Sequence, residues 1–169
     1  MQKLTLPLSL VAILAGCAGA NPQTREEFRS TRQAGVPFSF TDTYIAKRPF
    51  DEAVDTLRKK VDECFQVNVT TKRTQGPGGF TTMNVTDEYR TVIRSVDKNL
   101  AELTTQYHMK GAIVMQQVPA GGFYLTVMDI ERLTATTTKL SYYGSSFAGS
   151  KAKWNAFKQW SDGQLVPCP

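Results

Sequence analysis

The chain has 169 residues, 41% of them hydrophobic and 21% charged, with 20 Lys and Arg against 15 Asp and Glu for a net charge of +5. That length suits one domain with a real core, and no second domain is expected. The charge excess is too small for a nucleic-acid surface, and a single histidine excludes multi-histidine metal sites.

The first residues follow the plan of a secretory signal: a basic start at Lys3, a nearly uncharged run from Leu4 to Ala15, then small residues. The apolar run is about a dozen residues, short of the roughly 20 that cross a hydrocarbon core as a helix. It reads as a signal segment over residues 1–16 and not as a membrane span. Leu14-Ala15-Gly16-Cys17 resembles the lipobox of bacterial lipoproteins, an aliphatic residue and two small ones before the cysteine that becomes the first mature residue. The resemblance implies a diacylglycerol on the Cys17 thiol, cleavage before it, and often acylation of the new amino group. Each buried methylene contributes roughly 0.8 kcal/mol, so two or three chains anchor where one holds only marginally. Ala18, where an Asp would stand for inner-membrane retention, implies an outer-membrane address facing the periplasm. Cleavage takes Lys3 with the signal and leaves a net charge of +4.

Residues 17–37 form a lipidated terminus and polar tether, with few large apolar side chains to fold on. Thr24 and Glu27 have capping-box spacing, and Arg25, Arg29 and Arg32 would share one helical face. Two readings stand: a solvated linker, or a short basic helix whose arginines touch an anionic leaflet at about 1 kcal/mol each.

A single α+β domain is expected over 38–169. Phe38, Phe40 and Tyr44 alternate with Thr41, Thr43 and Ile45, which predicts a strand. Pro49 opens a helix whose Phe50, Ala53, Val54, Leu57, Val61, Cys64 and Phe65 make one apolar stripe, with Asp51 and Glu52 in the first turn. Five runs rich in β-branched and aromatic residues follow: 67–72, 80–96 with a break expected near Asp87, 100–118 with a bulge expected at Gly111, 123–133 and 137–145. Turn signals at 75–79, 97–99 and 119–122 separate the long runs, and short turns between successive strands make an antiparallel meander. Ser150 caps a last helix with Trp154, Phe157 and Trp160 on one side, Lys151, Lys153 and Lys158 on the other, and Gly163 as its stop.

With Cys17 lipidated, Cys64 and Cys168 are an even pair in an oxidising compartment. A bridge would close a loop of about 100 residues and pin the tail onto the first helix, worth up to roughly 4.7 kcal/mol by chain entropy. Two unpaired thiols are the other reading. The order of strand, helix, about five antiparallel strands and helix resembles the helix-grip arrangement, a curved antiparallel sheet around a carboxy-terminal helix. That resemblance implies space for a small ligand between sheet and last helix.

Catalytic chemistry is poorly supplied. Cys64 on an apolar helix face is a poor thiolate for His108 to activate. The segment 144–148 lacks the second glycine of a nucleophile elbow, and 76–79 lacks the Gly-Lys-Ser/Thr ending of a phosphate loop. Asp87 with Glu88, and Asp129 with Glu131, have the look of general acid and base candidates, but Asp129 and Glu131 share one strand face beside Lys or Arg on neighbouring runs and read as a solvated sheet face. No cofactor or metal is expected. The leading expectation is a non-catalytic, lipid-anchored envelope module that binds an envelope protein or glycan. The alternative is a carrier or sensor of a small apolar ligand beside Trp154, Phe157 and Trp160, with Met83, Met109, Met115 and Met128 lining the space.

Overall fold

The computed structural model describes residues 22, 24–75, 81–110, 122–145 and 150–169. The signal segment, Cys17, Gly111, Met115 and the turns at 76–79 and 119–121 lie outside the described residues, as do the side chains of Met83 and Met109. The elements in chain order are α1 (Arg25–Gln33), β1 (Ser39–Ala46), α2 (Phe50–Cys64), β2 (Gln66–Gln75), β3 (Thr81–Ser95), β4 (Leu100–Lys110), β5 (Phe123–Arg132), β6 (Thr138–Ser145) and α3 (Ser150–Ser161). The fold is α+β, as the pattern predicts. Six strands form one sheet in the order β1-β6-β5-β4-β3-β2, with every neighbouring pair antiparallel.

The sheet carries helices on both faces. On the inner face α3 lies over β6 and β1, while α2 packs against α3 and reaches β2, β3 and β5. Their stripes meet Ala101, Leu103, Met128, Ile130, Leu140 and Tyr142 in one buried cluster with Leu57, Val61, Trp154, Phe157 and Trp160. Fully burying each large side chain contributes roughly 1.5–3 kcal/mol. Tilted ring contacts run from Phe65 to Phe157 at 5.5 Å, Phe65 to Trp160 at 5.9 Å and Tyr142 to Trp154 at 5.2 Å. The two indoles are also satisfied as donors: Trp154 Nε1 donates to Asp42 at 2.7 Å and Trp160 Nε1 to the Val166 carbonyl at 3.1 Å. Cys64 and Cys168 are bonded with their Cα atoms 5.5 Å apart, so the tail is pinned beside the end of α2. Gly163, at φ +85°, ends α3 as its position predicts.

Two expectations are corrected, at Asp87 and at Phe38, and one irregularity is unforeseen. The break near Asp87 is absent, because β3 pairs without interruption on both sides. The irregularity of β4 against β5 falls between Thr105 and Gln106, whose partners Thr126 and Tyr124 leave Leu125 unpaired on β5. Phe38 precedes β1 at φ +64° and is 62% exposed, so Phe40, Tyr44 and Ala46 carry the apolar side of that strand to the core.

The largest departure is α1, which stands where the composition suggested an open tether. Nine residues are too few for a stable isolated helix, and docking supplies what propensity does not. Thr24 accepts from the Glu27 amide at 3.1 Å as N-cap, and Phe28 is fully buried against the outer face beside Tyr124.

Gly122 shows where the backbone tolerates no side chain. It sits at φ +76°, and a Cβ there would approach the Tyr107 carbonyl oxygen to 2.5 Å. We expect Gly122→Ala to cost about 1–3 kcal/mol in denaturant unfolding. A neutral result would mean that this end of β5 does not sit against β4.

Candidate functional site

Strand register decides which polar side chains meet, and it builds two sites on opposite faces. On the outer face one row crosses five strands: Arg94 of β3 is opposite Glu102 of β4, Glu102 opposite Asp129 of β5, Asp129 opposite Ser141 of β6, and Ser141 opposite Thr43 of β1. Two acids directly opposite each other repel, and α1 supplies the cations. Arg29 forks onto Asp129, Nε to Oδ2 at 3.1 Å and Nη2 to Oδ1 at 2.5 Å, and Nη2 also donates to Glu102. Arg25 Nη1 meets the other Glu102 oxygen at 2.5 Å. The Glu102 side chain is only 5% exposed, so these pairs are screened little by water.

The titration behaviour follows from the same contacts. Burial opposes the charge on Arg29, but the bonds and fields of Asp129 and Glu102 outweigh it and hold the guanidinium protonated beyond its usual range. Burial pushes Asp129 above the usual carboxylate range, Arg29 pulls it back, and Glu102 and Glu131 add to the rise. Arg32 has no such partner among the described residues: it lies over the Phe28 ring at 4.7 Å, and burial lowers its pKa.

Beside this cluster the outer face opens into a groove of about 430 Å³ lined by Gln33, Thr41, Asp42, Thr43, Ser141, Tyr142 and Tyr143. Its floor is a block of four side chains, Thr41 opposite Tyr143 and Thr43 opposite Ser141. The Gln33 amide reaches over it to the Tyr143 hydroxyl at 3.5 Å. The Asp42 carboxylate points the other way, to Trp154.

On the inner face, the filled core stops where α2 and α3 stop. Beyond it comes a row of hydroxyls: Thr91 Oγ1 and Thr105 Oγ1 are 3.0 Å apart, and Thr126 Oγ1 is 3.4 Å from the Tyr142 hydroxyl. Burial raises the Tyr142 pKa, and hydrogen bonds with Thr126 and with Ser150 at the start of α3 oppose the rise. Further out, the Tyr107 hydroxyl donates to the buried Asp87 at 2.6 Å, and the Tyr107 and Tyr89 rings are 5.3 Å apart. Register puts Val67 opposite Tyr89 and Val69 opposite Asp87 on this same face, and those valines are 43% and 41% exposed. Thr71, next along, has a buried hydroxyl oxygen without a hydrogen-bond partner among the described residues.

The expected site residues separate accordingly. Trp154, Phe157 and Trp160 come together as core, with Met128 fully buried among the same side chains. Arg25 and Arg29 turn to the sheet carboxylates instead of outward, and Asp129 is covered by α1 instead of solvated. His108 lies opposite Glu88 and close to Gly122. Glu102, Thr71, Tyr89, Tyr107 and Tyr143 were not singled out by the sequence pattern; only register reveals them. Among the described residues, no group of three His, Cys, Asp or Glu side chains could hold a metal, and no helix is long and apolar enough to cross a membrane.

No family description matches the chain, and no curated protein does. Solved structures similar to it include two at low identity. One is a hypothetical protein, jhp0584, from Helicobacter pylori, at 13% identity and TM-score 0.36 over 74% of this chain and 84% of that one. The other is Ara h 8.0201, at 15% identity and TM-score 0.32 over 74% of this chain and 94% of that one. At this distance the likeness is one of strand and helix arrangement, and it carries nothing about function.

Proposed function

We propose that the chain is a lipid-anchored, non-catalytic envelope module whose domain holds a small, largely apolar molecule against the inner face of the sheet. The observation that carries this is the β2–β3 end of the inner face: Val67 and Val69 stand exposed beside the Tyr89 and Tyr107 rings, with Asp87 and the Thr71 hydroxyl, which lacks a partner among the described residues, as polar points. Pockets for small ligands have this composition, apolar and aromatic walls with a few placed polar groups. The ligand position therefore moves along the sheet, away from the Trp154, Phe157 and Trp160 stripe, which is occupied by its own packing.

The anchor reading rests on the lipobox alone, with Cys17 acylated and the domain facing the periplasm from the outer membrane. Cys17→Ser should leave an unlipidated precursor that no longer takes up labelled fatty acid. For the ligand, 1-anilinonaphthalene-8-sulfonate is a suitable apolar probe. We expect saturable binding to the native protein, lost in Val67→Asp/Val69→Asp at an unchanged melting temperature, since both positions are on the surface of an edge strand. No native-state binding, or binding indifferent to the two aspartates, would refute the reading.

The other expectation, docking of an envelope protein or glycan, needs an outward surface, and the outer-face groove is the described cavity that offers one.

A further inference from the structure

We infer that the groove between α1 and the β1–β6 edge is a binding site for a neutral glycan of about two sugar rings. This rests on the docking reading just given and is independent of the apolar ligand on the other face. Every side chain that turns into the groove is uncharged and both donates and accepts: the amide of Gln33 and the hydroxyls of Thr41, Thr43, Ser141 and Tyr143. A sugar presents the complementary chemistry, with each hydroxyl a donor and an acceptor. Tyr143, partly exposed on β6, adds one aromatic ring on which the C–H face of a pyranose can lie.

The surroundings argue against a charged ligand. Arg25 and Arg29 are committed to Glu102 and Asp129, Lys139 is paired with Glu131 at 3.1 Å, and Arg32 lies over the Phe28 ring with its guanidinium partly buried. The carboxylate of Asp129, opposite Ser141 on the next strand, adds no free positive charge for a phosphate or carboxylate to meet. The volume of about 430 Å³ lies within the range of small-ligand sites and is too small for a folded partner to enter.

A second observation points the same way. Ser39 precedes Thr41 by two residues on the same side of β1, and its hydroxyl oxygen is buried without a hydrogen-bond partner among the described residues. Buried hydroxyls are ordinarily paired, so an unpaired one two residues from Thr41 marks an edge where the hydrogen bonding is left for water or a ligand to complete. The turn from α1 into β1 fixes this end: Gly35 at φ +69° and the bond from the Ser39 amide to the Val36 carbonyl reverse the chain beside Gln33.

The test is calorimetric titration of the mature full-length protein with chitobiose and with cellobiose. We expect saturable binding of at least one, with a Kd of about 1 mM or tighter. Tyr143→Ala should weaken it tenfold or more, Tyr143→Phe only a few-fold, and Thr43→Val/Ser141→Val tenfold or more at unchanged helix and strand content. Val67→Asp/Val69→Asp should leave sugar binding untouched, so the inner-face reading and this one fail separately. Absence of saturable binding by both disaccharides overturns the inference. So does binding that survives Tyr143→Ala, or a groove that binds an extended peptide and neither sugar.

Discussion

Replacing Arg29 with alanine is expected to cost about 3–5 kcal/mol of stability, the usual loss when a buried ion pair is broken from one side. For a domain of this size that is roughly 6–20 °C in melting temperature. The reason is what remains: Glu102 and Asp129 directly opposite each other, one 5% and the other 15% exposed at the side chain, with the Arg25 ion pair to Glu102 left and no other ion pair to Asp129 among the described residues. The loss should depend on pH with a definite sign. Burial already raises the folded-state pKa of Asp129 above its unfolded value. The ionised form therefore carries a penalty that is present above the folded pKa and disappears once pH falls below the unfolded one. Without Arg29 that penalty grows, so the variant should recover part of its deficit on going from neutral pH toward about pH 5. Arg29→Ala/Glu102→Gln/Asp129→Asn should recover much of it at neutral pH. A variant within about 1 kcal/mol of the parent at every pH would mean that α1 is not docked on the sheet.

The second large effect is the bond between Cys64 and Cys168, 104 residues apart. The chain-entropy model assigns a loop of that length about 4.7 kcal/mol, and native bridges commonly deliver 2–4 kcal/mol. Cys168→Ser should fall in that range. The bond frees the last residues if lost, and with them the Val166 carbonyl that accepts from Trp160. Because there is one bond to lose, Cys64→Ser, Cys168→Ser and the double variant should be nearly equally destabilised. Reductant should lower the melting temperature of the parent and leave the variants where they are. Additive losses from the two single variants would instead make each thiol a separate packing group.

How much of this is legible in the sequence follows from where the information resides. The apolar stripes of α2 and α3, the turn signals and the alternation of β5 and β6 are local patterns, so the α+β class, the meander and the buried Trp154, Phe157 and Trp160 can be read directly. The cysteine pair follows from counting. By contrast α1 is held by charge and by the single apolar anchor Phe28, which leaves no hydrophobic period to detect; its local traces are the capping spacing of Thr24 and Glu27 and the shared face of Arg25, Arg29 and Arg32. Glu102 and Asp129 are 27 residues apart in sequence and become neighbours through register alone. Read without register, Asp129 beside Glu131 is an ordinary solvated face; with it, Asp129 belongs to a covered ion cluster. Both candidate sites have the same origin. Thr43 and Ser141 lie on the first and last strands in sequence, and Val67 and Tyr89 meet across a hairpin whose turn signal marks the reversal but not which residues face each other.

Native mass spectrometry of the mature protein, released gently from envelope membranes, bears on the central claim most directly. The account predicts a polypeptide carrying acyl mass at Cys17 and, in addition, one non-covalent small molecule that is shed on activation and missing from Val67→Asp/Val69→Asp. A bare polypeptide, or an adduct that the two aspartates leave in place, would contradict it.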